Sequence, residues 1–312
     1  MVIGIGERGE VSARELTQKN LDRGRRRFLR TAAVGAAGYA LGPPCWGQST
    51  AKLAALNAPR NARFRVEGRS ITAESIVARY NNFYEFCLEK EKVSELAAGF
   101  EARPWQIKVR GHVEKPLTLD VDDLLKRFAL EERVYRHRCV EAWSIVVPWV
   151  GFPLAKFIEW VKPTPKARFL RMVSFYRPHQ APGQAEQTWY PWPYFEGLRL
   201  DEAMNELAFL VVGSYGHTLP NQNGAPIRLV VPWKYGYKSI KSITLFEFTD
   251  RQPSTFWSQV VPKEYDFLSN VNPAVPHPRW SQAQERDLSQ GGKLIPTLPF
   301  NGYAEYVAGL YR

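Results

Sequence analysis

The sequence predicts an α+β fold, and three observations carry the prediction. Trp105, Ile107 and Val109 alternate with Gln106, Lys108 and Arg110, the period-two pattern of a half-buried strand. Leu154, Phe157, Ile158 and Val161 recur at i, i+3, i+4 and i+7, one apolar face of a helix. Short strands and short helices then follow one another without the regular βαβ alternation of a doubly wound sheet.

The elements follow from the N-terminus. Arg25-Arg26-Arg27-Phe28-Leu29-Arg30 is a twin-arginine pattern, and the Ala/Gly-rich run Thr31 to Leu41 begins directly after it. A span of a bilayer needs about 20 apolar residues, so this shorter run suits a removable export signal instead. Residues 1–50 are therefore read as the signal, 51–63 as a linker and 64–312 as one domain. Cys45, after Gly42-Pro43-Pro44, only weakly resembles a lipoprotein box. Export by the twin-arginine route predicts a periplasmic protein, folded before export, and favours a cofactor inserted in the cytoplasm.

Within the domain, Gly111 marks a turn and Asp120 can cap a short helix with Leu124, Leu125 and Phe128 facing inward. A strand from about Val134 leads into Cys139, with His137 and Cys139 expected on one face and Arg136 and Arg138 on the other. Residues 169–175, 208–212, 227–231 and 242–248 read as further strands. Beyond about residue 250, frequent prolines and weak strand signals predict an irregular wrap around the core.

Composition narrows the function. Hydrophobic residues make up 45% and aromatic residues 13% of the chain, enough for a substantial core. Net charge is +11; the first 50 residues hold eight Lys/Arg against four Asp/Glu, leaving +7 for the rest. That charge is dispersed, which argues against nucleic acid and leaves an anionic ligand or a membrane surface open. No later apolar run is long enough to span a membrane. Beyond the signal only Cys87 and Cys139 remain, so one disulfide is conceivable but no disulfide framework exists. Thioredoxin-like Cys-x-x-Cys, covalent-haem Cys-x-x-Cys-His, His-x-x-x-His and a Gly-x-Ser-x-Gly elbow are missing from the sequence, and no Gly-x-Gly-x-x-Gly follows a strand.

Four segments bring chemistry-bearing residues together. Tyr80-Asn81-Asn82-Phe83-Tyr84-Glu85-Phe86 combines paired amides with aromatics; it could grip a planar heterocycle or form a packed aromatic turn. Cys139, between Arg138 and Val140-Glu141, is either a small buried hydrophobe or a thiolate whose pKa nearby cations lower. Pro220 to Arg228 contains the Asn223-Gly224 turn. Lys234 to Lys241 offers Gly236, Ser239 and Lys241 as an anion cradle without Walker spacing.

In this order the four segments resemble the molybdopterin domain of the sulfite oxidase family. The runs that carry the resemblance are Tyr80–Phe86, Arg138–Ser144, Val147–Leu154, Gln222–Pro226, Val231–Gly236 and Asn272–Ser281. The resemblance is nearest to the family's bacterial periplasmic branch, which reduces methionine sulfoxide in oxidised proteins. It implies a mixed-sheet, barrel-like molybdopterin domain, a single domain without the family's C-terminal β-sandwich. It implies molybdenum and molybdopterin as cofactors, with Cys139 as the protein thiolate on the metal. Asn81, Tyr84, Glu85, Ser174, Asn223, Arg228, Ser239, Ile240 and Lys241 match cofactor-contacting positions. Ser174 stands where relatives commonly carry Thr, and Ser239 where they often carry Gly. Glu141 is a candidate for proton delivery, or a structural carboxylate. Trp143, Trp189 and Trp192 could line an open site for protein substrates, or belong to core and rim. The resemblance further implies a haem-bearing integral membrane subunit as electron donor, fed by quinol or flavin. Two alternatives stay open: sulfite oxidation within the same family, and a metal-free periplasmic anion-binding protein.

Overall fold

Strand β4 (Trp143–Pro153) organises the molecule, because its sequence is apolar almost throughout and ten of its eleven residues are buried. A strand covered on both faces needs such a continuous apolar run. In the computed structural model, which describes residues 53–312, β4 lies at the centre of a seven-stranded sheet. The twin-arginine motif and Cys45 fall outside the described residues. β3 (Glu131–Arg138) runs antiparallel to β4, placing Arg138 opposite Ser144. β7 (Phe209–Ser214) is antiparallel to the far end of β4, and β11 (Gln284–Asp287) pairs parallel with Trp143 and Ser144. The short strands β8 (His217–Thr218) and β9 (Arg228–Val230) extend from β7, and β12 (Lys293–Pro296) from β11.

The second sheet has five strands in the order β2 (Leu117–Asp120), β1 (Gln106–Gly111), β10 (Ile243–Thr249), β5 (Phe169–Ser174) and β6 (Phe195–Arg199). Only the β1–β10 pair is parallel. The alternation expected from residue 105 onward is present: Trp105, Ile107 and Val109 are buried while Gln106, Lys108 and Arg110 are exposed. Gly111 closes β1 at φ +86°, where a Cβ would lie 2.2 Å from the carbonyl oxygen of Phe248, so both the conformation and the space require glycine. One apolar core draws on both sheets, with Ile107 and Phe246 from one and Val147, Phe152 and Val211 from the other.

The helix expected around residue 154 spans Leu154–Val161 and buries all four residues of its apolar face. Asp120 caps the helix Val121–Arg127 by accepting a hydrogen bond from the Asp122 amide. Leu124 is buried, while Leu125 and Phe128 are only partly covered.

Three expectations are corrected. The strands form two open sheets and do not close into a barrel. The region after residue 250 is not an irregular wrap alone, since it contains the helix Phe256–Val260 and the β11–β12 hairpin. Cys139 does not continue β3. The strand ends at Arg138, and Cys139 opens a tight turn closed by its amide donating to Trp143 O and by Ala142 N donating to Cys139 O, with Ala142 at φ 61°. The strand alternation therefore does not reach Cys139, and Arg138 points inward, fully buried and paired with Glu285 at 2.8 Å. Residues 55–60, within the segment read as a linker, lie along β8 and β3: Leu56 N donates to Gly216 O, and Arg60 bridges to Glu132.

Candidate active site

The turn after β3 holds Cys139, 7% exposed. Its Sγ lies 3.5 Å from the amide nitrogen of Glu141 and 3.5 Å from Asn82 Nδ2. Cys87 and Cys139 are both free thiols. Burial, reinforced by the charge of Glu141, pushes the Cys139 thiol up to about 12 against the opposing cations Arg138 and Lys90. This reverses the expectation that nearby cations would lower it, because desolvation outweighs cations that are committed elsewhere. A metal bound there would displace the proton, since a thiol ligates as thiolate.

Glu141 is held beside the thiol by three donors. Asn82 Nδ2 and Trp143 Nε1 each lie 3.1 Å from Glu141 Oε2, and Lys90 Nζ lies at 3.0 Å. Burial raises the carboxyl, but these hydrogen bonds and the Lys90 charge outweigh it and hold Glu141 below the usual carboxylate range. Trp143 is accordingly buried and works as a donor to Glu141, Trp189 is 60% exposed, and Trp192 is half-buried.

Close to this turn stand His137, Arg228 and Lys241. Arg228 is buried, and its guanidinium donates only to carbonyl oxygens, those of Leu229, Asn223 and Ser239. Lys241 Nζ donates to Asn82 O at 2.6 Å. Among the described residues neither cation has a carboxylate within salt-bridge distance. Burial pulls Arg228 down to about 9, and burial with the Arg228 charge also pulls Lys241 down. His137 is half-buried. Even so, enclosure and then the charges of Arg228 and Lys241 push it down to about 3, so it stays neutral. Gly236 lets the ring in: a Cβ there would sit 2.5 Å from His137 Nε2.

The remaining expected residues surround this site. Asn81 and Asn223 are buried and bonded to each other, Asn223 Nδ2 donating to Asn81 Oδ1 at 2.9 Å. The carbonyls of Tyr84 and Glu85 accept from Gln187 Nε2 and the Gln184 amide, fixing the loop from behind. The Glu85 carboxyl is buried and pushed up by desolvation, which Lys241 opposes. Ser174 Oγ donates to Lys241 O, Ser239 Oγ accepts from Val231 N, and Ile240 O accepts from Leu229 N. These bonds lock the segment 239–241 against β5 and β9.

The residues fit an anionic, soft-metal cofactor. Buried cations without a counter-anion suit a phosphate group. Asn82 Oδ1 is buried with no partner. No three His, Cys, Asp or Glu side chains converge among the described residues, so a metal at Cys139 takes its other donors from outside the polypeptide, as a dithiolene provides. The sequence reading missed Asn82, Lys90 and His137 as site members. Asn82 was signalled by the paired amides, whereas Lys90 arrives through a loop whose path no periodicity reveals.

Comparison with known proteins identifies the family. The family model described as "Oxidoreductase molybdopterin binding domain" matches residues 95–257. The protein-methionine-sulfoxide reductase catalytic subunit MsrP of Burkholderia mallei is 47% identical over 311 residues, covering 97% of this chain and 93% of that one. The protein of the same name from Ralstonia nicotianae is 48% identical over 315 residues, covering 97% and 94%. The crystal structure of the sulfane dehydrogenase SoxCD from Paracoccus pantotrophus aligns over 50% of this chain and 40% of that one, at 20% identity and a TM-score of 0.42.

Proposed function

The chain belongs to the molybdopterin-binding oxidoreductases of the sulfite oxidase family, and on that premise we propose that it reduces methionine sulfoxide residues in oxidised proteins. The observation that carries this reading is a buried free thiol close to buried cations that have no carboxylate partner, in a chain similar over nearly its whole length to relatives named for that activity. Molybdenum bound by a pterin dithiolene supplies two-electron oxygen-atom transfer. The residues of this chain bind, orient and supply protons around it. Cys139 holds the metal through its thiolate. Arg228, Lys241 and the segment 239–241 receive the phosphate end, and the amides of the 80–86 loop orient the pterin. Glu141, kept ionised by Asn82, Lys90 and Trp143, is the carboxylate placed beside Cys139 that would relay protons from solvent to the site.

The compartment and the partner belong to the same proposal. Arg25–Arg30 and the apolar run after it support export of the folded protein to the periplasm. No covalent-haem motif is present in the sequence, so electrons come from a separate subunit, which we take to be a haem-bearing integral membrane protein.

Elemental analysis followed by a reduced-dye assay tests the function. One molybdenum and one pterin per chain, with dye oxidation driven by methionine sulfoxide in an oxidised protein, is the expected result. A metal-free active protein, or oxidation of sulfite without sulfoxide reduction, would overturn it.

A further inference from the structure

Near Cys139 an aromatic arc runs from the 80–86 loop to Trp280. At one end Tyr84 lies two positions after Asn82, the residue that touches both Cys139 and Glu141. At the other end Trp280 Nε1 donates to the carbonyl of Val140, Cys139's neighbour, at 2.8 Å. Between them the rings run in sequence. Tyr84 meets Trp257 at 5.4 Å, Trp257 meets Tyr265 at 5.4 Å, Tyr265 meets His277 at 5.7 Å, and His277 stacks on Trp280 at 3.8 Å. Tyr190 completes the wall at 6.3 Å from Tyr84 and 5.9 Å from Trp257.

Three properties separate this arc from ordinary core. Tyr84, Tyr190, Trp257 and Trp280 are only half-buried. The wall adjoins a small apolar cluster around Phe256 that is separate from the main core. The Tyr84 and Tyr265 hydroxyls donate to no protein group among the described residues. Flexible thioethers and their oxides suit such a wall, because sulfur and S-methyl groups pack well on aromatic faces, and a sulfoxide oxygen is a strong acceptor for a free phenol.

We propose that this arc is the side-chain subsite of the substrate, resting on the methionine sulfoxide reading above. Trp257 and Tyr190 face the CH2–S–CH3 group, and the Tyr84 and Tyr265 hydroxyls donate to the sulfoxide oxygen. The half-exposed rim admits a flexible peptide segment and not only a free small molecule. Tyr84 contributes its side chain here and its backbone to the cofactor loop.

The test uses holoenzyme carrying Trp257→Ala, Trp257→Phe, Tyr265→Phe or Tyr190→Ala, with molybdenum and pterin per chain and thermal midpoint measured alongside. Reduction of a methionine-sulfoxide peptide is compared with reduction of dimethyl sulfoxide. Equilibrium binding of the unreactive methionine-sulfone peptide is also measured. The subsite predicts that Trp257→Ala raises KM for the sulfoxide peptide and weakens sulfone binding, each by roughly 3- to 10-fold. It predicts that Trp257→Phe restores most of that loss, and that Tyr265→Phe acts mainly on kcat, all at unchanged metal content. Wild-type turnover of the peptide with variants indistinguishable from it would overturn the subsite and leave the proposed function standing. A metal-loaded wild type that reduces no sulfoxide would overturn the function and the subsite together.

Discussion

His137 shows how one residue reports on the site. Its ring is enclosed and faces Arg228 and Lys241, so its folded-state pKa of about 3 lies far below the usual histidine value. In the unfolded chain the ring binds a proton below about 6.5. The native state therefore loses stability as pH falls from about 6.5 toward 3, by up to about 1.4 kcal/mol per pH unit from this group. His137→Gln in cofactor-free protein should remove that slope. Urea melts of both proteins between pH 6.5 and 4 check this, the variant gaining stability relative to wild type as the pH falls. Individual residues were legible in the sequence only in part. Cys139 stood out because it is one of two cysteines beyond the signal. Its pKa direction was misjudged because Arg138, adjacent in sequence, turns inward to Glu285, a residue 147 positions later.

At the scale of elements, the segment 223–241 carries the anion-binding half of the site. Gly224 allows the turn at φ +100° and lets the Lys241 side chain pass where a Cβ would lie 2.8 Å from it. Arg228 then enters β9 with its charge buried and bonded only to carbonyls. An anion bound there relieves that desolvation. Inorganic phosphate should accordingly raise the thermal midpoint of the cofactor-free protein more than chloride at equal ionic strength, and Lys241→Met should abolish most of the difference, as scanning calorimetry would show. Elements with clear periodicity were legible, among them β1, the Leu154–Val161 helix and the Asp120 cap. The β11–β12 hairpin was not. Gln284–Asp287 is polar throughout and Lys293–Pro296 leaves Leu294 exposed, so neither shows a buried apolar face; what holds them is the pairing of β11 with β4 and of β12 with β11.

On the whole-molecule scale, that pairing is fastened by a buried ionic network. Arg138 donates to Glu285, Gln282 and Thr297, while Arg69 reaches Glu285, Asp287 and Ser144. The network ties the C-terminal segment to β3, the strand that ends at Arg138 just before Cys139. Removing one partner leaves a buried charge uncompensated, which costs about 3–5 kcal/mol. Glu285→Ala should lower the unfolding free energy by roughly that amount, read from denaturant melts, and should reduce molybdenum loading as the turn at Cys139 loosens. No local pattern in the sequence announces these contacts, because they join residues 75 to 218 positions apart.

The bond between Cys139 and the metal remains the claim on which the others depend. X-ray absorption at the molybdenum edge, on wild type and on Cys139→Ser loaded with cofactor, tests it most directly. The account predicts three sulfur neighbours in the wild type, two from the dithiolene and one from the polypeptide, and two in the variant, with turnover reduced to background. An identical sulfur count in both proteins would contradict it.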